Sequence, residues 1–176
     1  MTEPNVDALL AAVNGGDLGA VIDAVDAGGD VNGISAEGFS PLMVAAYRGQ
    51  RDIAEYLLGM GADANLPNDK GALPMHYAAA GGSVEMAELL FLNGAQLDAP
   101  VYEDLSWTEL HVASFCGNEE VFEFLVGCGA NHKIKDADGF SPQEVAQSRE
   151  MSLSIEKKIG LLLPGSSVDS AASSGL

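Results

Sequence analysis

The chain has 176 residues, of which 47% are hydrophobic and 21 are glycines, so it is long and apolar enough to bury a sizeable core. Its 26 acidic and 8 basic residues give a formal charge of −18. This charge argues against nucleic acid or anionic lipid as a partner, because phosphate groups are repelled at long range. The sequence contains no run of about 18 apolar residues that could span a membrane, and residues 1–13 lack the basic start of a secretion signal. We therefore expect a soluble protein of the cytoplasm or also of the nucleus.

An internal repeat runs through the chain. Pro41 and Pro74 are 33 residues apart, Pro74 and Glu109 are 35 apart, and Glu109 and Pro142 are again 33 apart. A second series keeps the same spacing, with glycines after the first helix of each unit and after the second. A period of this length predicts a solenoid of stacked units. The glycines of the second series are Gly16, Gly49, Gly82 and Gly117, and then Gly28, Gly61, Gly94 and Gly129.

The second unit shows how each repeat is expected to fold. Ser40 and Pro41 start a short helix, since proline is tolerated at the first helical position and the hydroxyl can cap free amides. Gly49 ends this helix, and a second helix with a broader apolar stripe follows it from Asp52. The connector around residues 61–71 has the composition of extended and turn backbone, so we expect it to project as a hairpin-like finger.

At these residues the chain resembles the ankyrin repeat family, whose unit has a Gly-x-Thr-Pro-Leu-His-x-Ala-Ala core. The matching stretches begin at Gly38 (GFSPLMVAA), Gly71 (GALPMHYAA), Ser106 (SWTELHVAS) and Gly139 (GFSPQEVAQ). The resemblance implies an all-α solenoid of stacked antiparallel helix pairs with protruding hairpin-like fingers. It also implies that His76 and His111 hydrogen-bond to a neighbouring finger.

The resemblance divides the chain into about five units, at residues 5–34, 35–67, 68–102, 103–135 and 136–163. Asp7 and Ala8 replace the helix-starting pair in the first unit, which resembles an N-terminal cap. Residues 136–163 resemble a C-terminal cap, with a one-sided final helix formed by Ile155, Ile159, Leu162 and Leu163. The remaining residues, 164–176, are rich in Ser, Gly and Ala and are predicted to form a flexible tail.

Candidate binding residues lie on the finger tips and on the outward positions of the first helices. The aromatic residues among them are notable, because protein interfaces enrich aromatic anchors within a polar rim. Trp107 and Phe115 are the preferred anchors, whereas Phe39 and Phe140 have the alternative of packing against adjacent fingers. Ala72, Ala80 and Gly81 leave a shallow groove between the second and fourth units. The predicted residues are Glu37, Phe39, Asp69, Lys70, Leu105, Trp107, Asp138 and Phe140 on the fingers, and Tyr47, Arg48 and Phe115 on the helices.

The fourth finger departs from the repeat. Its two extra residues lie within residues 98–107, where Ser106 replaces the finger glycine and Glu109 replaces the helix-starting proline. Loops that break a repeat pattern commonly carry specificity, so Tyr102, Glu103 and Asp104 complete the predicted binding set. A neutral insertion is the alternative.

The sequence shows no recognisable catalytic, cofactor or metal motif. The chain has no phosphate-binding loop, and its three histidines lie in separate units. Cys116 and Cys128 are predicted to be reduced thiols. A nucleophilic pair of Cys116 with His111 is conceivable but lacks a third, orienting group. We therefore predict that the protein is not an enzyme and needs no cofactor or metal.

The sequence predicts a monomeric protein-binding module that engages a basic or partly apolar protein segment and serves as a scaffold, adaptor or masking factor. The competing hypothesis is a regulatory subunit, a stoichiometric inhibitor or an assembly chaperone. The acidic charge has the simpler interpretation that it keeps an exposed solenoid soluble. Two minor hypotheses are hydroxylation of Asn65, which the resemblance implies, and recognition of the terminal Ser174-Gly175-Leu176 by a PDZ-type groove.

Overall fold

The computed structural model describes residues 6–101 and 105–147, except for the side chains of 146 and 147. Within these residues the backbone forms nine helices and one isolated β-bridge. Four helix pairs and then one further helix follow one another along the described residues, which confirms the predicted all-α architecture. The helices are α1 (Val6–Gly15), α2 (Leu18–Asp26), α3 (Pro41–Tyr47), α4 (Arg51–Gly59), α5 (Pro74–Gly81), α6 (Val84–Leu92), α7 (Glu109–Cys116), α8 (Glu119–Gly127) and α9 (Pro142–Gln147).

The helices stack in two layers. The inner layer is α1, α3, α5, α7 and α9, in which each helix contacts the next, and the outer layer is α2, α4, α6 and α8. The inner helices α1, α3, α5 and α7 each also pack on the outer helix of their own unit. Because no unit covers its own apolar surface completely, the core is one continuous cluster that runs from α1 to α9.

Local chemistry starts and ends the helices as the sequence predicts. The Ser40 hydroxyl accepts a hydrogen bond from the amide of Met43 at 3.2 Å, and Pro41 occupies the first turn of α3. Residues 41–46 are all buried, so this short helix is covered on several sides. The outer helix α4 instead buries only a stripe, formed by Ile53, Ala54 and Leu57.

Asparagines at the exits of the units join neighbours. The Asn65 side chain donates to the carbonyl oxygen of Gly94 at 2.8 Å and accepts from the amide of Gln96 at 2.7 Å. Asn32 makes the equivalent pair of bonds with Gly61 and Asp63. Both polar groups of the Asn65 amide are thus engaged between units, which gives this residue a structural role; its hydroxylation stays a prediction.

Several predictions concern residues outside the described ranges. These are the final helix of the C-terminal cap, the tail at residues 164–176 and the recognition of the terminal tripeptide. Within residues 6–101 and 105–147, no helix has both the length and the apolar character needed to cross a membrane.

Candidate functional site

Three fingers share one compact turn. In the third unit the amide of Asn68 donates to the carbonyl oxygen of Ala72, and the Asn68 side chain accepts from the amides of Lys70 and Ala72. Gly71 closes the turn at φ +77°, a backbone conformation that favours glycine. Ser35 and Asp136 hold the corresponding positions in the second and fifth units. The turns present the exposed charged residues Glu37, Asp69, Lys70 and Asp138 at their tips.

The fourth finger is wider. Val101 and Trp107 form an antiparallel bridge, with amide-to-carbonyl distances of 2.7 and 3.0 Å in the two directions. Ser106, at the position of Gly71, has a φ of +51°. The carbonyl oxygen of Leu105 accepts a hydrogen bond from the amide of Ala137 at 3.0 Å, so this finger is tied to the fifth one. The predicted binding residues Tyr102, Glu103 and Asp104 lie outside the described residues.

The prediction of Trp107 as an exposed anchor is wrong. Its side chain is 0% exposed and its indole nitrogen donates to the buried carboxylate of Asp136 at 3.1 Å. The ring stacks on His111 with a centroid distance of 6.3 Å and packs against Phe115 at 5.4 Å. Leu105 is only 7% exposed, so its assignment to an accessible surface is wrong as well. The wider fourth finger folds these apolar side chains inward, because burying them removes large apolar areas from water.

Two aromatic side chains remain partly open on the ends of the inner helices. Tyr47 ends α3 and Phe115 lies in the last turn of α7, and both are half-buried. Between them, at the equivalent positions of α5, stand Ala80 and Gly81. A Cβ atom on Gly81 would overlap the carbonyl oxygen of Tyr47, so only glycine permits this close approach of the two helices. The result is a low floor flanked by two aromatic residues, with Arg48 exposed beside it.

Phe39 and Phe140 occupy the finger position that corresponds to Trp107. Both are half-buried and pack against the core. The Phe39 ring meets Tyr77 of the next unit edge-on, with centroids 5.9 Å apart and planes at 74°. These contacts favour the alternative in which the two phenylalanines pack between units, although part of each ring stays accessible.

His76 and His111 are structural. The Nδ1 atom of His76 accepts from the amide of Leu73 at 3.1 Å, and its Nε2 atom donates to the carbonyl oxygen of Ala99 at 3.0 Å. His111 bonds Thr108 in the same way and reaches the carbonyl oxygen of Phe140 at 3.2 Å. Burial lowers the pKa of His76 to about 4 and lowers that of His111, so both rings stay neutral at pH 7. The finger contacts implied by the resemblance are therefore present.

The described residues give no support to a nucleophilic Cys116. Burial of its sulfur raises the pKa of the thiol, although the residue as a whole is exposed, and this shift is opposite to the one that activates a nucleophile. The His111 ring is already engaged on both nitrogens by Thr108 and Phe140. In the described part of the chain, no group of three or more His, Cys, Asp or Glu residues could hold a metal ion.

Glu109 is the feature that sequence reasoning missed. Its side chain is 0% exposed, and its two carboxylate oxygens accept from the amide of Asp98 at 3.0 and 3.1 Å. Desolvation raises the pKa of Glu109 to about 7. The nearby charge of Asp98 also acts to raise it, whereas the hydrogen bond from the backbone amide of Asp98 acts to lower it. Asp98 itself has a φ of +61°. The replacement of proline by Glu109 was visible in the sequence, but nothing local indicated that the carboxyl group points inward.

The comparisons with known proteins agree with this architecture. No curated protein matches the chain. A family model described as ankyrin repeats (3 copies) matches residues 2–68 and 60–136, which together exceed half of the chain. The stacked helix pairs, the exit asparagines and the finger-bound histidines fit that match, and the chain belongs to the ankyrin repeat family.

Proposed function

We propose that the protein binds a basic, partly apolar segment of another protein on its concave face, formed by the ends of the inner helices and the finger tips. Ankyrin repeats are general protein–protein interaction modules and are typically not catalytic, which supports the broad assignment. In this proposal the protein acts as a monomeric scaffold, adaptor or masking factor. The proposed contact residues are those members of the predicted set that the structure leaves at least partly exposed, namely Glu37, Phe39, Tyr47, Arg48, Asp69, Lys70, Phe115, Asp138 and Phe140.

The observation that carries the proposal is the floor of Ala80 and Gly81 between Tyr47 and Phe115. These aromatic residues belong to inner helices separated by α5, so adjacent-helix spacings of 8–10 Å place them roughly 20 Å apart. An α-helix with its side chains is about 10–12 Å wide. The floor therefore has room for one helix or one extended segment. Both aromatic side chains are half-buried, so they are held in place while part of each remains open for contact.

The negative charge of the finger tips favours a basic segment as the partner. The described finger tips carry the exposed residues Glu37, Asp69 and Asp138 and the exposed Lys70, the exposed Lys135 donates to the carbonyl oxygen of Gly139 at the fifth finger, and the whole chain has a charge of −18. A basic segment is attracted to such a surface and an acidic one is repelled, which affects association rate and specificity most strongly. Phe39 and Phe140, half-buried behind the tips, add apolar area at the same edge.

The test is affinity capture from the cells that express the protein, followed by calorimetry with the purified partner. The Tyr47→Ala/Phe115→Ala variant is compared with Phe91→Ala, because Phe91 is 36% exposed on the outer helix α6. We expect the double variant to lose at least about 2 kcal/mol of binding free energy if the residues are anchors. Phe91→Ala should bind as the wild type does. Equal binding by all three proteins, each folded by circular dichroism, would refute the concave-face proposal.

The loop of the fourth finger is the second part of the proposal. Charge reversal at Glu103 and Asp104 should slow association, most visibly at low salt, because these charges would steer a basic partner. Asp52→Lys/Glu55→Lys changes the net charge equally on the exposed side of the outer helix α4 and serves as the control. An equal loss of association rate in both variants would mean that only net charge matters.

A further inference from the structure

The ends of the outer helices α4 and α6 carry exposed apolar side chains. Leu92, the last residue of α6, is 72% exposed, and Phe91 beside it is 36% exposed. Met60, which follows the last residue of α4, is 48% exposed. The two helices contact each other in the outer layer, so these residues end them at the same level. They are three of the five large hydrophobic residues that stand exposed in the described part of the chain, which makes this an apolar patch and not a scatter of single residues.

Glycines on both sides of Leu92 leave it prominent. Gly59 and Gly127 hold its position in the neighbouring outer helices α4 and α8. Neither glycine has a positive φ, and a Cβ atom on either would meet no heavy atom within 4 Å. Neither the backbone nor the packing therefore requires glycine there, although glycine lowers the stability of a helix. The consequence is open ground on both flanks of Leu92, between helices that the structure describes.

A row of carboxylates runs beside the apolar residues. Glu55, Glu88 and Glu123 hold one position in α4, α6 and α8, and all three are exposed. Each lies four residues, or about 6 Å of helix, before the level of Leu92. The described outer helices carry two acidic residues each in α2, α4 and α6 and three in α8, all exposed, whereas their one basic residue is Arg51 at the opposite end of α4.

We infer that these residues form an outer patch, made of Met60, Phe91 and Leu92 with the carboxylate row beside them, that binds a basic amphipathic helix of another protein. Charge decides the occupant. A second copy of this chain would bring the same carboxylates and a further charge of −18, so like charges would face one another. Lysine or arginine side chains instead complement the row, and the apolar face of such a helix covers Leu92 and its neighbours.

Spacing matches a helix to the outer patch. Neighbouring packed helices lie about 8–10 Å apart, which sets the distance from one carboxylate of the row to the next. Residues seven apart in an α-helix are separated by about 10.5 Å along its axis. A helix that crosses α4, α6 and α8 can therefore place basic residues at i, i+7 and i+14 opposite Glu55, Glu88 and Glu123 in turn. Its apolar residues then lie along the side of the row that carries Leu92.

The inference goes beyond the concave-face proposal, since it concerns the outer helices and holds whichever residues bind on the inner ones. The concave site is built on α3, α5 and α7, whereas the outer patch is built on α4, α6 and α8. Two surfaces in different layers allow one chain to hold two protein segments at once. A scaffold requires this property, and a simple masking factor does not.

Access to the outer patch is tested first in the free, full-length protein. A soluble nitroxide should broaden the methyl NMR signals of Leu92 and Met60 much more than those of Leu57 and Leu90, which are fully buried. Signals of Leu92 as protected as those of Leu90 would overturn the inference, because something would already cover the patch. Ultracentrifugation then identifies the cover. A dimer that Leu92→Ser abolishes would assign it to a second copy, and a monomer would assign it to another segment of the same chain.

Binding is tested with a synthetic helical peptide of about 21 residues, with leucines along one stripe and lysines at i, i+7 and i+14 beside it. We expect it to shift the methyl signals of Leu92 and Met60 saturably. Leu92→Ser should weaken binding at least about tenfold, because the burial of a leucine side chain is lost. Ile22→Ser is the matched control, since it removes a partly exposed aliphatic side chain from the outer helix α2 and should leave the affinity unchanged.

A second peptide, with every leucine replaced by alanine, keeps the charge and the helix propensity. Equal affinity for both peptides would overturn the inference, because charge alone would then explain binding. Glu55→Gln/Glu88→Gln/Glu123→Gln should weaken binding of the leucine peptide at least about threefold, since three exposed ion pairs are lost. An unchanged affinity would contradict the charge-matched site.

The Tyr47→Ala/Phe115→Ala variant separates the two surfaces. It should bind the leucine peptide as the wild type does, because both substitutions lie in inner helices. Loss of binding in this variant, with Leu92→Ser unaffected, would place the peptide on the concave face and overturn the inference while leaving the proposed function intact. Loss in Leu92→Ser alone would support the outer patch, whatever the outcome for the concave partner.

Discussion

The third and fourth units form the same finger and inner helix with different residues. In the third unit Pro74 begins the inner helix and Gly71 closes a turn held by the Asn68 side chain. In the fourth unit Glu109 begins the helix and Ser106 takes the glycine position. The histidine in the first turn of the helix nevertheless bonds the next finger in both, from His76 to Ala99 and from His111 to Phe140.

The comparison teaches that the stack accepts a longer finger when a new set of buried contacts replaces the regular ones. The indole nitrogen of Trp107 is satisfied by Asp136, and the carboxylate of Glu109 is satisfied by the amide of Asp98. The first bond joins the fourth unit to the fifth, and the second joins the third unit to the fourth. The fourth unit therefore depends on polar groups that the third unit does not need, and this difference can be tested by substitution.

The largest effect should come from Trp107→Ala. Removing a fully buried tryptophan costs about 3–5 kcal/mol of unfolding free energy and leaves the Asp136 carboxylate without its indole donor. Phe39→Ala, at the same finger position, should cost less than half as much because Phe39 is only half-buried. Urea unfolding followed by circular dichroism measures both. Equal losses would mean that burial at this position does not distinguish the two fingers.

Trp107→Phe separates packing from hydrogen bonding. It keeps most of the aromatic contact with His111 and Phe115 but removes the donor to Asp136, so we expect a loss of about 1–3 kcal/mol. This variant also keeps the experiment interpretable if Trp107→Ala does not fold. A loss as large as that of the alanine variant would assign the whole effect to the hydrogen bond.

The second effect is a loss of stability with rising pH, which the fourth unit owes to Glu109. Because the folded-state pKa of Glu109 is raised to about 7 from a usual 4.5, the folded protein binds the proton more tightly than the unfolded chain does. The associated stability is complete below about pH 4.5 and is lost as the pH rises through 7, for a total of about 3 kcal/mol.

Glu109→Gln should remove this pH dependence. The amide oxygen can still accept from Asp98, but the side chain no longer ionises. We expect the variant to gain on the wild type steadily between pH 5 and pH 8. Taking this difference cancels the contribution of His76, whose lowered pKa makes the protein lose stability in the opposite direction, as the pH falls below about 6.5. Parallel stability curves for the two proteins would contradict the raised pKa.

The regular units were predictable from sequence because their determinants are local. Ser40, Pro41 and Gly49 act within one helix, and the helix begins and ends where these residues indicate. The repeat spacing then supplies the stacking. Trp107 was misassigned because its burial depends on Asp136, which lies 29 residues further along the chain. The inward direction of Glu109 likewise depends on the amide of Asp98 in the preceding unit.

The smallest effect concerns the backbone of the finger turns. Ser106 at φ +51° and Gly71 at φ +77° hold equivalent left-handed positions. Ser106→Gly therefore relieves backbone strain of roughly 1–2 kcal/mol in the folded state. It also raises the conformational entropy of the unfolded chain, which lowers stability by about 0.4–1 kcal/mol. We expect a net stabilisation below about 1 kcal/mol. Gly71→Ala should destabilise the folded protein by a similar amount, about 1 kcal/mol. The whole effect should come from the left-handed backbone, because the added Cβ would meet only the carbonyl oxygen of Pro100, at an ordinary contact distance of 3.8 Å. Thermal unfolding of the two variants measures the pair. A destabilised Ser106→Gly would mean that the fourth finger uses the serine side chain itself, and that its departure from the repeat is a requirement of the wider loop and not a tolerated strain.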